Sequence, residues 1–333
     1  MAYAPKKKRM KKSNNIPTYA ITAAVIGLLL RLWLILAAPL QSDVTNPLPA
    51  FNDELSHFHH ILYQRDVGSI PLQKLQYVDE AALATGGAEY WQPPLYYQLS
   101  AFLLKAVGTV SHPERMIRLF SLGCWIVGLG FLLAFVPNPQ WRTPILLGGS
   151  LLGAGLPASV TVNNDALMAL FVGAFFACTT VAARRRLGWL QLFVWGGLLA
   201  FGVYAKLPAL TLWPMVIFAI WFGEANRLIG FIKAAMVELF AFLLTLPLWL
   251  QRIEFYGHPI GFRHAPEITL REALIAFGYS SMSPWQEPWS SPFVKFTGVV
   301  FCLALLASTI YLFLHRKQFW IEFTGSEKLA ERM

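Results

Sequence analysis

Residues 51–60, FNDELSHFHH, gather Asp53, Glu54, His57, His59 and His60 within a chain that is mostly hydrocarbon. Asp53, His57 and His60 recur at i, i+4 and i+7, which is one face of a helix. On that face a carboxylate can act as general base while an imidazole orients it or shares its proton. Two other readings fit the same residues. Asn52 is a good N-cap, and Asp53 and Glu54 suit the positive end of an amphipathic helix over 53–65 that lies along a membrane surface. Glu54 and His57, at i and i+3, could also contribute to a metal site, although no second ligand set accompanies them.

Further groups stand at the ends of apolar runs. Asp165, in the segment NND of residues 163–165, opens an apolar helix, where a carboxylate either favours the helix dipole or serves a functional site at the membrane interface. Lys206, in VYAKLPAL, either snorkels to headgroups or meets a phosphate. Arg252 and Arg263, in the segment 251–291, are planar forks suited to phosphate, amid Trp and Tyr residues suited to an interface belt or to stacking on a sugar. Gln92 precedes Pro93 and Pro94 at the start of another apolar run.

The elements that must position these groups are membrane helices. Hydrophobic residues make up 56% of the 333 and charged residues 14%, with a mean hydropathy of +0.49, outside the range of a soluble globular domain. Apolar runs at about 16–38, 92–108, 115–136, 144–160, 164–183, 188–203, 207–222, 229–250 and 292–314 have helical rather than barrel-strand lengths. The expected fold is an all-α polytopic bundle with amphipathic helices in its first outer loop. Cys124, Cys178 and Cys302 fall within the runs as small apolar fillers, without metal spacing.

The basic block PKKKRMKK, residues 5–12, precedes the first run and reads as a cytoplasmic topology signal. The net charge of +9 then reflects cytoplasmic loops, and no nucleic-acid motif is present. The expected organisation is a cytoplasmic tail over 1–15, a transmembrane module over 16–315 with outer loops at 39–91 and 251–291, and a cytoplasmic tail over 316–333. Arg184, Arg227, Lys233 and Arg316 are assigned to the cytoplasm, which puts Asp165 and Lys206 on the outer face with the acidic first loop. The run after Pro94 is expected to return to the cytoplasm near Lys105, ahead of Arg115 and Arg118. That assignment leaves a parity conflict. Residues 115–162 hold two apolar runs but must cross an odd number of times, so one run is expected to be broken, for instance at Gly128 and Gly130, or to be re-entrant.

Taken together, NDELSHF in the first outer loop, PPL at the next helix start, Arg118, NDALMALF opening a later helix, Lys206, and the late pattern Arg252, YGHP at 256–259 and Phe277-Gly278 resemble the C-type polytopic glycosyltransferases. The resemblance runs from about residue 16 to residue 290. It implies inverting transfer of a sugar from a polyprenyl-phosphate donor to a glycan, lipid or protein acceptor on the non-cytoplasmic face, that of the plasma membrane in a bacterium or the ER in a eukaryote. Asp53, with Glu54, would deprotonate or orient the acceptor hydroxyl, and Asp165 would position the acceptor or a metal. His57, His60, Gln92, Lys206, Arg252 and Arg263 would bind substrate, with the cations meeting the lipid phosphate. If a divalent cation takes part, Asp53, Glu54, His57 and Asp165 are its candidate ligands. Two features depart from the family: Gln92 stands where relatives often carry Lys or His, and no soluble outer domain follows the last span. A non-catalytic subunit on the same scaffold and a lipid or solute transporter are the alternatives.

Overall fold

The computed structural model describes residues 16–40, 54–68, 92–136, 138–151, 155–184 and 187–256, together with Val299, Val300 and Leu303. The described residues are helical throughout their ordered elements and contain no strand, so the protein is an all-α bundle. Its helices are α1 (Thr18–Ala37), α2 (Glu54–Val67), α3 (Leu95–Val107), α4 (Pro113–Phe135), α5 (Arg142–Leu151), α6 (Gly155–Val160), α7 (Asp165–Arg184), α8 (Trp189–Ala205), α9 (Trp213–Gly223) and α10 (Arg227–Tyr256). A 3₁₀ turn at Pro139–Trp141 leads into α5, and another at Leu207–Leu212 joins α8 to α9. Among the described residues four helices, α1, α4, α7 and α10, are long and apolar enough to cross a membrane, and α8 and the Leu207–Trp221 segment are shorter apolar helices. Large apolar side chains such as Leu29, Phe193 and Leu239 face outward along them, as lipid-facing surfaces require.

Side-chain bonds between helix ends fix which termini meet. At one end, Lys233 near the start of α10 donates to the Leu187 carbonyl after α7 and pairs with Glu224 after α9. At the other, the carbonyl end of α1, the starts of α2 and α4, residues 162–165 and Lys206 come together. The second is here termed the site end. Strands of chain therefore alternate: α1 up, α4 down, α5 with α6 up, α7 down, α8 up, α9 down and α10 up.

Helix α3 departs from expectation. Tyr96, near its start, bonds Ser121 of α4 at 2.8 Å, while Leu104, near its end, lines one cavity with Pro113, so α3 runs antiparallel beside the first turns of α4. It does not return to the opposite end. Its 13 residues span only about 20 Å at 1.5 Å each, short of a hydrocarbon core of about 30 Å. Lys105 and Arg115 accordingly sit at the site end rather than opposite it. The parity conflict disappears with them: α4 goes down and α5 with α6 comes back, an even number of crossings over 113–162.

The first of the two runs is not broken. Helix α4 is continuous through Gly128 and Gly130. Gly128 instead lets α4 and α7 touch, because a Cβ there would lie inside contact distance of the Ala169 carbonyl, and one on Gly173 would strike the Gly128 backbone. Close crossing at small residues is how helices gain van der Waals contact where lipid offers no hydrophobic drive. Residues 152–154, between α5 and α6, lie outside the described residues, and Arg31 of α1 is set against the residues that flank them. Its guanidinium donates to the carbonyls of Gly149 (3.3 Å) and Ser150 (2.6 Å) in the last turn of α5, to Gly27 O, and to Ser159 Oγ of α6. The buried charge is thus surrounded by carbonyl and hydroxyl acceptors from α1, α5 and α6.

Candidate functional site

The site is assembled from short helix ends. Asn163 caps α7, its Oδ1 accepting from the Asp165 N–H at 2.9 Å, which places Asp165 in the first turn with its side chain turned toward the α8 exit. There the Asp165 carboxylate pairs with the Lys206 ammonium. Lys206 leaves α8 as an extended residue before the Pro208 turn, so its side chain points back across the mouth. This pair is open to the outside, with side-chain exposures of 21% for Lys206 and 43% for Asp165.

Glu54 lies deeper, 1% exposed, and opens α2. Arg118 of α4, equally buried, donates to both of its oxygens, Nε to Oε1 at 2.7 Å and Nη2 to Oε2 at 2.6 Å. The Val162 N–H adds a third bond to Oε1 at 2.8 Å. Arg118 also donates to the carbonyls of Ile35, Ala38 and Pro39 at the end of α1. Burial raises the Glu54 carboxyl from its ordinary value, and the Arg118 guanidinium and the Val162 N–H pull it back. One ion pair therefore ties α1, α2, α4 and the segment before α7 together.

Between the buried pair and the open one lies an aromatic stack. His57 Nδ1 and the Tyr97 hydroxyl are hydrogen-bonded at 2.6 Å. The Tyr97 ring stacks on His60 with centroids 3.8 Å apart, and the Gln64 amide lies 3.0 Å from His60 Nε2. His57 is held neutral: burial and the nearby Lys206 charge push it down to about 3, against a smaller pull from Asp165. Asn164 is wholly buried beside this group, donating to Gln92 Oε1 at 3.1 Å and to the Ala205 carbonyl at 3.4 Å. Its own Oδ1 has no hydrogen-bond partner among the described residues.

The face of α2 that carries His57 and His60 is turned inward. His57, Phe58, His60, Ile61 and Gln64 are all buried, because α2 packs along α3 rather than lying alone on a surface. His57, His60, Gln92, Asp165 and Lys206 are brought together, and Glu54 adjoins them through Val162. Arg252 is buried near the site end of α10, on the helix rather than in a loop, since α10 continues to Tyr256. Asp53 and Arg263 lie outside the described residues, as does most of 251–291. Among the described residues no three His, Cys, Asp or Glu side chains gather as metal ligands. Glu54 and His57 do not fit a cation: both Glu54 oxygens face a guanidinium, and the His57 Nδ1 is engaged by Tyr97. Arg31, Tyr97 and Asn164 escaped the sequence reading. Of these only Arg31 left a signal, a lone charge in the middle of an apolar run.

No family model, no curated protein and no solved structure matches this chain.

Proposed function

We propose that the protein is an integral-membrane glycosyltransferase that moves a sugar from a polyprenyl-phosphate donor to an acceptor hydroxyl, with inversion, on the non-cytoplasmic face. The observation that carries this reading is the exposed Asp165–Lys206 pair at the mouth of an otherwise apolar bundle. Deeper charge at this end, Glu54 with Arg118, is internally neutralised. Arg184, Arg227 and Lys233 stand at the opposite end, which suits a cytoplasmic placement of that end.

The chemistry divides between the two members of the pair. The acceptor oxygen attacks the anomeric carbon as the bond from that carbon to the lipid phosphate breaks on the opposite side. The acceptor proton passes to the Asp165 carboxylate, and the departing phosphate takes its place beside Lys206. His57, neutral and fixed by Tyr97, offers the acceptor a hydrogen bond without competing for that proton. In this reading Glu54 is a positioning residue rather than the base, and Asp53, one residue before α2, is the second carboxylate to be tested.

Thermal melting of the purified protein in detergent, with and without a polyprenyl phosphate, tests the donor site. The wild type is expected to be stabilised, Lys206→Ala to lose that stabilisation, and Asp165→Asn to keep it while losing sugar transfer. A well-folded wild type that polyprenyl phosphate leaves unshifted would sink the proposal. A second reading, transport, is favoured by Arg31, a buried charge midway along the apolar helix α1, since charge at that depth marks many transporters. Substrate flux into vesicles that survives Asp165→Asn would favour it instead.

A further inference from the structure

An open cavity of about 430 Å³ lies at the site end, away from the Asp165–Lys206 mouth, between the last turns of α2 and α3 and the start of α4. It is lined by Arg65, Leu104, Lys105, Thr109, Val110 and Pro113, with Gly108 turning the chain at φ +80°. From this lining we infer a binding site for the phosphate ester of an anionic membrane lipid, independent of the glycosyl-transfer reading.

Its charge is net positive, two cations against Asp66, whose carboxylate Arg65 binds and Lys105 also attracts. Arg65 and Lys105 reach the cavity from two different helices. Arg65 spends Nε and Nη2 on the neighbouring Asp66, at 2.6 and 2.9 Å, which leaves Nη1 without a bond to the described residues. Lys105 makes no hydrogen bond or ion pair among the described residues. Glu114, one residue after Pro113, is engaged by His112 and Arg115 at 3.2 and 3.9 Å. A guanidinium and an ammonium with a hydroxyl from Thr109 suit a phosphate, while Leu104, Val110 and Pro113 supply an apolar wall for the glycerol and upper acyl carbons.

Its height is that of a headgroup. The carbonyl end of α1, a 20-residue helix of about 30 Å, matches one boundary of the hydrocarbon core. Arg118 binds that end, and Pro113 lies five residues further along α4, about 7 Å beyond it at helical rise. The exposed side chains of α3 include Leu99 and the 71%-exposed Phe102, which precede Lys105 on a helix running outward and so offer acyl chains an apolar surface on its membrane side. Lipid, rather than a soluble metabolite, is the source this arrangement favours.

The test uses the full chain in an uncharged detergent, titrated with a short-chain phosphatidic acid and separately with glycerol 3-phosphate, and read by thermal shift. Arg65→Gln with Lys105→Gln removes the charge, Thr109→Trp fills the cavity with both cations kept, and Arg115→Gln removes a nearby cation outside the lining. The apparent Kd for the lipid is expected to rise about tenfold in the first two and to stay within about twofold in the third. Unchanged affinity in both lining variants, or an equal loss in Arg115→Gln, would overturn the site. Equal affinity of the wild type for glycerol 3-phosphate and for the lipid would overturn the lipid source.

Discussion

Glu54 is the residue for which an anchoring role and a catalytic one predict different numbers. In Glu54→Gln the amide oxygen can keep the Oε1 position, where it accepts from Arg118 Nε and the Val162 N–H. The amide nitrogen then meets Arg118 Nη2 donor to donor, where Oε2 accepts at 2.6 Å in the native protein. One charge-assisted bond is lost, about 1.5–3 kcal/mol, and a buried guanidinium loses its counter-charge, for which about 3–5 kcal/mol is typical. Because the carbonyls of Ile35, Ala38 and Pro39 still accept from Arg118, the expected destabilisation lies near the lower bound, about 3 kcal/mol. Glu54→Leu removes all three bonds and should cost about 5 kcal/mol. Arg118→Met strands a carboxylate instead and should cost about 3–5 kcal/mol near neutral pH. The double variant Glu54→Leu with Arg118→Met leaves no buried charge, so it should be far more stable than the sum of the singles. Reversible unfolding in mixed micelles, run as a double-mutant cycle, measures this. A coupling energy below about 1 kcal/mol would refute the anchor, as would a Glu54→Gln variant of wild-type stability.

Three other outcomes follow from the same structure. Because His57 titrates at about 3 in the folded protein and near 6.5 unfolded, it is neutral when folded while the unfolded chain takes up a proton. Stability is therefore flat above about pH 7 and falls as pH drops from about 6.5 toward 3, at up to about 1.4 kcal/mol per pH unit. His57→Gln should flatten that slope in unfolding titrations between pH 7 and 5. Gly173→Leu drives a side chain into the Gly128 backbone and should destabilise by about 3 kcal/mol or more, measured by the same unfolding assay, whereas Gly197→Ala, with open space around it, should stay within about 1 kcal/mol. Arg31→Met removes the guanidinium bonds to the Ser150 carbonyl and Ser159 Oγ, while the Gly149 carbonyl keeps Trp125 Nε1, and should cost about 2–4 kcal/mol, with hydrogen exchange at α5 and α6 rising first.

Helix class was legible because it depends only on local run length and composition, and an all-α bundle needs nothing more. Asp165 and Lys206 were legible as lying at the same end because one opens a long run and the other closes one, and the alternation of runs puts such ends together; that they pair was not. Partner identity was not. Arg118 lies 64 positions from Glu54, and in a bundle surrounded by lipid the outward faces are as apolar as the core. Periodicity therefore gives little sign of which face of α2 or α4 turns inward. Helix α3 shows the same limit from the other side. Its sequence, LYYQLSAFLLKAV, reads like a span, and Lys105 after it reads like a cytoplasmic stop. What decides otherwise is the turn at Gly108–His112, which returns the chain at the same end and lays Tyr96 against Ser121. A basic residue beside an apolar run marks a membrane boundary but not which boundary, and at Lys105 the nearby cavity supplies a reason for a cation that the topology rule cannot see.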